Sequence, residues 1–361
     1  MLTYLTAGES HGKALMGIIQ GLPSNMKIDL LSVNSALENR QQGYGRGGRM
    51  AIETDTAEFI AGIRGGFTTG APIGFLVHNK DHTNWQEIIG ATATKLDQKN
   101  LTAVRPGHAD LAGCIKYDHK DARNILERAS ARNTATQVVL GNLCKQYLDC
   151  LGVKVSSSVV SIGGETLDKK IKSKIDDARK DGDTLGGIVS IKARGLPAGF
   201  GSHISPTTRL EFTLTSHLSA IQSVKSVSVG NAAGYAGGLG SKMHDACYID
   251  NSKKVIRKTN NAGGIEGGIS NGEDIVLQLV CKPIPTVMKG LDTVDIAAKK
   301  ATKSATERSD VCAVEAVAVV AESVFAYALA SVVVSTLGGD TLAEALERMD
   351  KKRSKANDIL K

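Results

Sequence analysis

Gly8-Glu9-Ser10-His11-Gly12 follows a short strand-like opening, Leu2 to Thr6, and the reading of this pentapeptide decides what kind of chain this is. By pattern it fits the G-x-S-x-G nucleophile elbow of serine hydrolases. That elbow needs a mostly built sheet ahead of it, and its acid and base come later in the chain. Only seven residues precede Gly8, room for a single strand, so the hydrolase reading is set aside. What remains is a histidine between glycines, with nothing bulky to screen its ring. Glycine lets the backbone turn sharply and lets a ligand approach closely. An imidazole in that setting can exchange a proton near neutral pH. Standing alone, the motif would be read as a histidine satisfied in a strand-end turn.

It does not stand alone. Arg105-Pro106-Gly107-His108-Ala109-Asp110 is a second histidine in a turn, flanked by an arginine and an aspartate. Glu127-Arg128-Ala129-Ser130-Ala131-Arg132-Asn133-Thr134-Ala135 lies in a helix-like run, and Glu307-Arg308-Ser309-Asp310 precedes a long apolar segment. In this order the four blocks resemble chorismate synthase. The resemblance covers nearly the whole chain, and four separated motifs are far more specific than any one of them.

The 361 residues suffice for one large domain or two average ones. No linker-like stretch divides them, so one domain over 1–361 is expected. With 42% hydrophobic and 22% charged residues the composition is that of an ordinary globular protein. The apolar run Val311 to Gly338 is interrupted by Glu315 and Glu322, which argues against a membrane span. The opening residues lack a basic stretch followed by an apolar one, so no secretion signal is expected. Six scattered cysteines without a C-x-x-C pair indicate reduced thiols, a cytoplasmic setting and no metal site. A net charge of +7 raises the question of nucleic acid, but aromatic residues are only 4% and no recognition motif is present. The basic residues sit in glycine-rich loops, which suits small anionic ligands.

Periodicity predicts helices over Asp29–Arg40, Asp121–Leu151, Leu167–Arg179 and Arg209–Ile221. It predicts strands over Ala14–Gly21, Val153–Ile162, Gly187–Ala193, Ser223–Val229 and Asp274–Val280, with further strands between Ala51 and Asn79. Thr341 and Glu344 are spaced as a capping box for a C-terminal helix. Arg40, Arg46 and Arg49 alternate with glycines in what reads as a mobile basic loop. Forked guanidinium groups there would grip carboxylate or phosphate oxygens. The loop Asn260 to Ser270 matches neither the dinucleotide nor the Walker spacing, yet can form a nest of N–H groups.

The resemblance implies an α+β fold, a β-α-β sandwich with helices between antiparallel sheets, assembled as a homotetramer. It implies anti-1,4-elimination of phosphate and the C6 hydrogen from 5-enolpyruvylshikimate 3-phosphate. The product is chorismate, at the last common step of the shikimate pathway to aromatic amino acids. Reduced FMN is required without net redox change; such chemistry belongs to the cofactor, while the protein supplies orientation, charge and protons. By family motif His11 is the acid toward the departing phosphate and His108 the proton donor to the flavin. Asp310 is the base, with Ser10 and Ser130 as hydroxyl partners. FMN contacts map to Arg128, Ala129, Ser130, Gln222, Ser223, Gly267, Lys282, Pro283, Ile284, Pro285, Thr286 and Arg308. The anionic substrate or NADPH maps to Arg40, Arg46, Arg49 and Arg132. Where many members read Lys-Pro-Thr-Ser-Ser, Lys282 to Thr286 keeps one hydroxyl of three, and Gln222-Ser223 replaces Asn-Ala. Two other readings stay open: an FMN-dependent oxidoreductase fed by NAD(P)H, and, from charge alone, a basic RNA-binding protein. No reductase segment is visible, so reduced flavin would come from an external system.

Overall fold

Strict alternation builds the sheets. In the computed structural model, which describes residues 1–46, 54–252, 255–305 and 310–359, Leu15 and Ile19 point inward from strand Ala14–Gln20 while their neighbours face out. The first sheet orders Thr3–Ala7, Ala14–Gln20, Ile73–His78 and Ala57–Ala61, every pair antiparallel. The second orders Lys154–Ile162, Gly187–Arg194, Ile275–Cys281 and Val224–Val229, again antiparallel. The strands predicted from sequence fall within a residue or two of these bounds.

Between the sheets lies a helical layer. Helix Thr134–Cys150 packs on Ala14–Gln20 of the first sheet, and helix Val314–Leu337 on Lys154–Ile162 and Gly187–Arg194 of the second. The two helices pack most extensively on each other, giving the β-α-β sandwich. Gly141 makes this contact possible, because a Cβ there would overlap the backbone of Ser323. Val314–Leu337 is long and apolar enough to cross a membrane, contrary to the expectation from its two glutamates. It is instead buried on nearly all faces, as an all-round apolar helix inside a globular core must be. Glu322 sits at its edge, where it meets Lys145 and accepts from Ser157 Oγ at 2.8 Å.

The main apolar cluster runs from Leu2 to Met349, and a smaller one gathers Leu101, Val104, Cys114, Ala122 and Leu126 beneath the His108 turn. Asp29 caps helix Leu30–Gln41 by accepting from the amides of Leu31 and Ser32. The Thr341–Glu344 capping box forms as its spacing predicts, on helix Leu342–Ile359. All six cysteines are free thiols, four of them buried.

The helix predicted over Asp121–Leu151 is not continuous. Helix Arg123–Ala129 ends at Ser130, whose backbone is extended (φ −60°, ψ 140°), and the chain resumes through a single tight turn into Thr134–Cys150. The physical reason is local: Ser130 Oγ accepts from the Arg132 amide at 3.2 Å, a capping bond that competes with helix continuation.

Candidate active site

The loop between the first two strands carries the opening motif. Gly8 turns it at φ +110°, where any side chain would strike the Ala14 carbonyl. The Ser10 amide donates to the Glu127 carbonyl at 3.0 Å, fixing the loop against the last turn of helix Arg123–Ala129. His11 is then gripped by one carboxylate. Its amide donates to Glu127 Oε2 at 2.8 Å, and its Nδ1 lies 2.9 and 3.1 Å from the two oxygens. Trp85 stacks on the imidazole at 4.0 Å between centroids and 26° between planes. Above the indole sit the Arg123 guanidinium and the Lys99 ammonium. His82 Nδ1 donates to the His11 carbonyl at 3.0 Å, a structural duty consistent with its lack of a motif. The break at Ser130 has a consequence here, since it lets Ser130 Oγ donate to Ser10 Oγ at 3.1 Å.

A buried arginine pair adjoins this histidine. Asn79 Nδ2 donates to the carbonyls of Glu9 and Gly12, and its Oδ1 accepts from Arg132 Nε at 2.8 Å. Arg132 Nη1 and Arg40 Nη2 both donate to Asp55 Oδ2, at 2.6 and 2.8 Å. Arg40 also donates to Thr134 Oγ1 at 3.3 Å. Arg40 thus belongs to the last turn of its helix and not to a mobile loop, because Asp55 supplies a buried counter-charge. Burial pushes the Asp55 carboxyl up, but hydrogen bonds and charge from Arg132 and Arg40 outweigh it and hold it below the ordinary range. Arg46 pairs with Asp310 at 2.8 Å. Asp310 therefore does not cap the long helix, whose N-cap is Ala313. Arg49 and Arg308 lie outside the described residues.

The second histidine repeats the arrangement of the first. His108 Nδ1 contacts Asp110 Oδ1, and Arg105 embraces the same carboxylate through Nε at 2.8 Å and Nη2 at 3.0 Å. Arg105 Nη2 also lies 3.1 Å from His108 Nδ1. A carboxylate only accepts, so Nδ1 carries the proton and both donors aim at Asp110. Burial raises the Asp110 carboxyl, but hydrogen bonds from His108 and Arg105 prevail and hold it far below the ordinary range. Arg105 Nη1 reaches Thr286 Oγ1 at 3.4 Å, and Lys282 Nζ meets the Gly107 carbonyl. The His108 turn is thereby docked on the segment Lys282–Thr286. The Lys282 amide donates in turn to the Ser223 carbonyl at 2.9 Å. Gln222 Oε1 is buried without a partner among the described residues, an acceptor left for a ligand N–H or O–H. Burial, and then Lys225, lower the Lys282 ammonium. Thr184 Oγ1 donates to the Ile284 carbonyl and the Leu185 amide to that of Val311, which ties this segment to the chain just after Asp310.

The predicted residues thus form two linked groups. One holds His11, Ser10, Ser130, Arg132 and Arg40, with the Arg46–Asp310 pair near enough for Arg46 to disfavour the charged form of Arg40; the other holds His108, Lys282 to Thr286 and Gln222-Ser223. Arg128 is clasped to the first strand through Thr6 and to Asn133. Gly267 sits at an exposed hairpin turn, and no hydrogen bond or ion pair among the described residues joins it to either group. Glu127, Asp110, Asp55, Asn79 and Trp85 are site residues that sequence reasoning passed over. Glu127 and Asp110 stood inside motifs already singled out, and only their partners were invisible.

The family model for chorismate synthase matches residues 2–334. The chain belongs to the chorismate synthase family. It is 48% identical over 351 residues to a chorismate synthase of Caldanaerobacter subterraneus subsp. tengcongensis, covering 97% of each chain. It is 47% identical over 349 residues to one of Thermoanaerobacter pseudethanolicus, again covering 97% of each. A crystal structure of a chorismate synthase superposes with a TM-score of 0.79 at 32% identity, over 99% of this chain and 98% of that one. This is a lyase family, and its activity places the chain in the shikimate route to aromatic compounds. The α+β sandwich expected from the resemblance is the fold observed.

Proposed function

We infer that the chain eliminates phosphate and the C6 hydrogen from 5-enolpyruvylshikimate 3-phosphate to give chorismate, with reduced FMN as its cofactor. The observation that supports this most is the doubled device. Two imidazoles each present Nδ1 to a buried carboxylate, beside arginines positioned for anionic groups. In both rings the remaining nitrogen, Nε2, is the one that can hand a proton to a ligand. His11 donates to the departing phosphate oxygen, and Arg40 and Arg132 lower the cost of its charge. Lys282–Thr286 would hold the flavin, His108 would be the proton donor beside it, and the buried Gln222 Oε1 would be free to accept from it. Arg128, Ala129, Ser130, Ser223, Gly267 and Arg308 complete that set. Reduced flavin, when bound, supplies transient electron density with no net redox change. Asp310 would be the base that accepts the ring hydrogen by way of the bound flavin's N5, and Arg46, which it now holds, would turn to the substrate's carboxylates. Ser10 and Ser130 steady the His11 loop through their shared hydrogen bond.

NADPH is an indirect reductant that shares the arginine set with the substrate. The chain acts as one domain over 1–361, in the cytoplasm, as a homotetramer. Leu5, Ile18 and Ile60, exposed on the outer face of the first sheet, support a partner subunit there. The test is anaerobic: protein, photoreduced FMN and substrate are mixed, then chorismate absorbance and released phosphate are followed together. His108→Ala is expected to keep its circular dichroism spectrum and lose roughly 10²-fold or more in kcat, the share of a positioned proton donor. Near-normal turnover in that variant would remove His108 from its role.

A further inference from the structure

The geometry points to Glu127 as the positioning residue that fixes which nitrogen of His11 carries the transferable proton, an assignment that rests on His11 acting as the acid. Glu127 is buried, 2% exposed, and lies 116 positions from His11. Its carboxylate accepts from two donors of one residue, the His11 amide at 2.8 Å and Nδ1 at 2.9 Å. Holding the loop would need only the first of these. The second determines the tautomer. An ionised carboxylate has no proton to give, so Nδ1 must donate, and the neutral ring keeps its hydrogen there. A second proton then resides on Nε2 alone. When it passes to a phosphate oxygen, the Nε2–H bond breaks and a phosphate O–H bond forms. The ring is left neutral, with Nδ1–H still held by Glu127.

The surroundings restrict the ring further. Trp85 covers one face of the imidazole, so rotation out of the carboxylate's plane is blocked. Arg123 Nη1 stands 3.7 Å from Glu127 Oε1 and offsets the negative charge that burial would otherwise penalise. Every hydrogen bond of the ring among the described residues goes through Nδ1. A glutamine in the same place could not do this work. It has one acceptor oxygen, and its amide N–H₂ would point at one of the two donors. Glu127→Gln can keep the loop by accepting from the His11 amide, but its N–H₂ then faces Nδ1 and favours the tautomer with the hydrogen on Nε2.

The experiment uses nitrogen-15 NMR of the histidine ring signals, with His11 assigned by its loss in His11→Gln, alongside steady-state kinetics with reduced FMN. In the wild-type protein the neutral His11 ring is expected to be protonated at Nδ1. In Glu127→Gln the ring signal shifts toward the Nε2–H form. There kcat falls by roughly 10²-fold, within the 10²- to 10⁴-fold that a positioned general acid contributes, while KM stays within about twofold, since an effect confined to the transition state leaves ground-state binding alone. A merely structural glutamate would lower melting temperature without moving the tautomer. Wild-type kcat in a folded Glu127→Gln would overturn the assignment. Should that variant not fold, the wild-type spectrum decides: a neutral ring protonated at Nε2 overturns the assignment and one protonated at Nδ1 supports it. Undiminished turnover in His11→Gln would defeat the underlying role of His11 while leaving the wild-type tautomer unchanged, so the two failures are distinguishable.

Discussion

Asp55 offers the sharpest test of how the site is held. Arg40, Arg132 and Asp55 are 4%, 7% and 5% exposed, and both guanidiniums bond to the same oxygen, Oδ2. Replacing the carboxylate by an amide, Asp55→Asn, keeps the shape and removes a negative charge that both cations bond to. Breaking a buried ion pair at one partner costs about 3–5 kcal/mol, because the surviving charge stays buried and uncompensated. Here two charges survive, and Arg132 already disfavours the charged form of Arg40, so the upper part of that range is expected. Domains are stable by only about 5–15 kcal/mol, so the loss is a large fraction of the whole. Urea unfolding followed by circular dichroism reads it as a fall in midpoint. Inorganic phosphate, an anion that the two uncompensated guanidiniums attract, should raise the midpoint of Asp55→Asn more than that of the wild type, since a ligand that binds the native state stabilises it by mass action. A loss under about 1 kcal/mol, the scale of a solvent-exposed pair, would refute the reasoning. An equal phosphate effect in both proteins would refute the second half.

Gly141→Ala should lower stability although alanine is the better helix former. Alanine gains about 1 kcal/mol in propensity, but a Cβ driven into the Ser323 backbone costs about 3 kcal/mol as overpacking. For a chain of 361 residues the net loss of about 2 kcal/mol corresponds to roughly 3 °C in Tm by calorimetry, and a rise in Tm would show that the two helices can separate freely. Acid should also weaken the protein in a predictable sense. Asp55 and Asp110 are both depressed in the folded state, so their contribution is present above the unfolded carboxylate value near pH 4 and is lost as pH falls below it. Stability measured between about pH 5 and pH 2 should fall less steeply in Asp110→Asn than in the wild type; parallel curves would mean that Asp110 gains nothing from Arg105 and His108.

Much of the framework was legible because it is written locally. Leu15, Ile19, Leu277 and Leu279 alternate with outward residues, and Thr341 announces a helix by capping chemistry that needs only a few positions. The four motif blocks were legible for the same reason. What could not be read was which acid meets which base. Glu127 serves His11 across 116 positions and Asp55 joins Arg40 to Arg132, and no periodicity encodes such pairings. The break at Ser130 was missed because Ala129, Ala131 and Arg132 around it are good helix formers, whereas one side-chain hydrogen bond decided the matter. For the long apolar helix the reading against a membrane span rested on the wrong ground, since its length and apolarity alone would allow one. Whether such a segment faces lipid or protein depends on what surrounds it, and its surroundings come from elements far earlier in the chain.

That last point bears on how the protein is made. The helix that completes the core begins at Val314, so a ribosome must release nearly the entire chain before the two sheets acquire their common filling. Until then the nascent polypeptide carries two half-covered β-surfaces and a Thr134–Cys150 helix whose largest contact face is bare. Such intermediates are prone to aggregate. Chaperone demand should therefore peak late in synthesis, and fragments stopped short of residue 314 should not survive on their own.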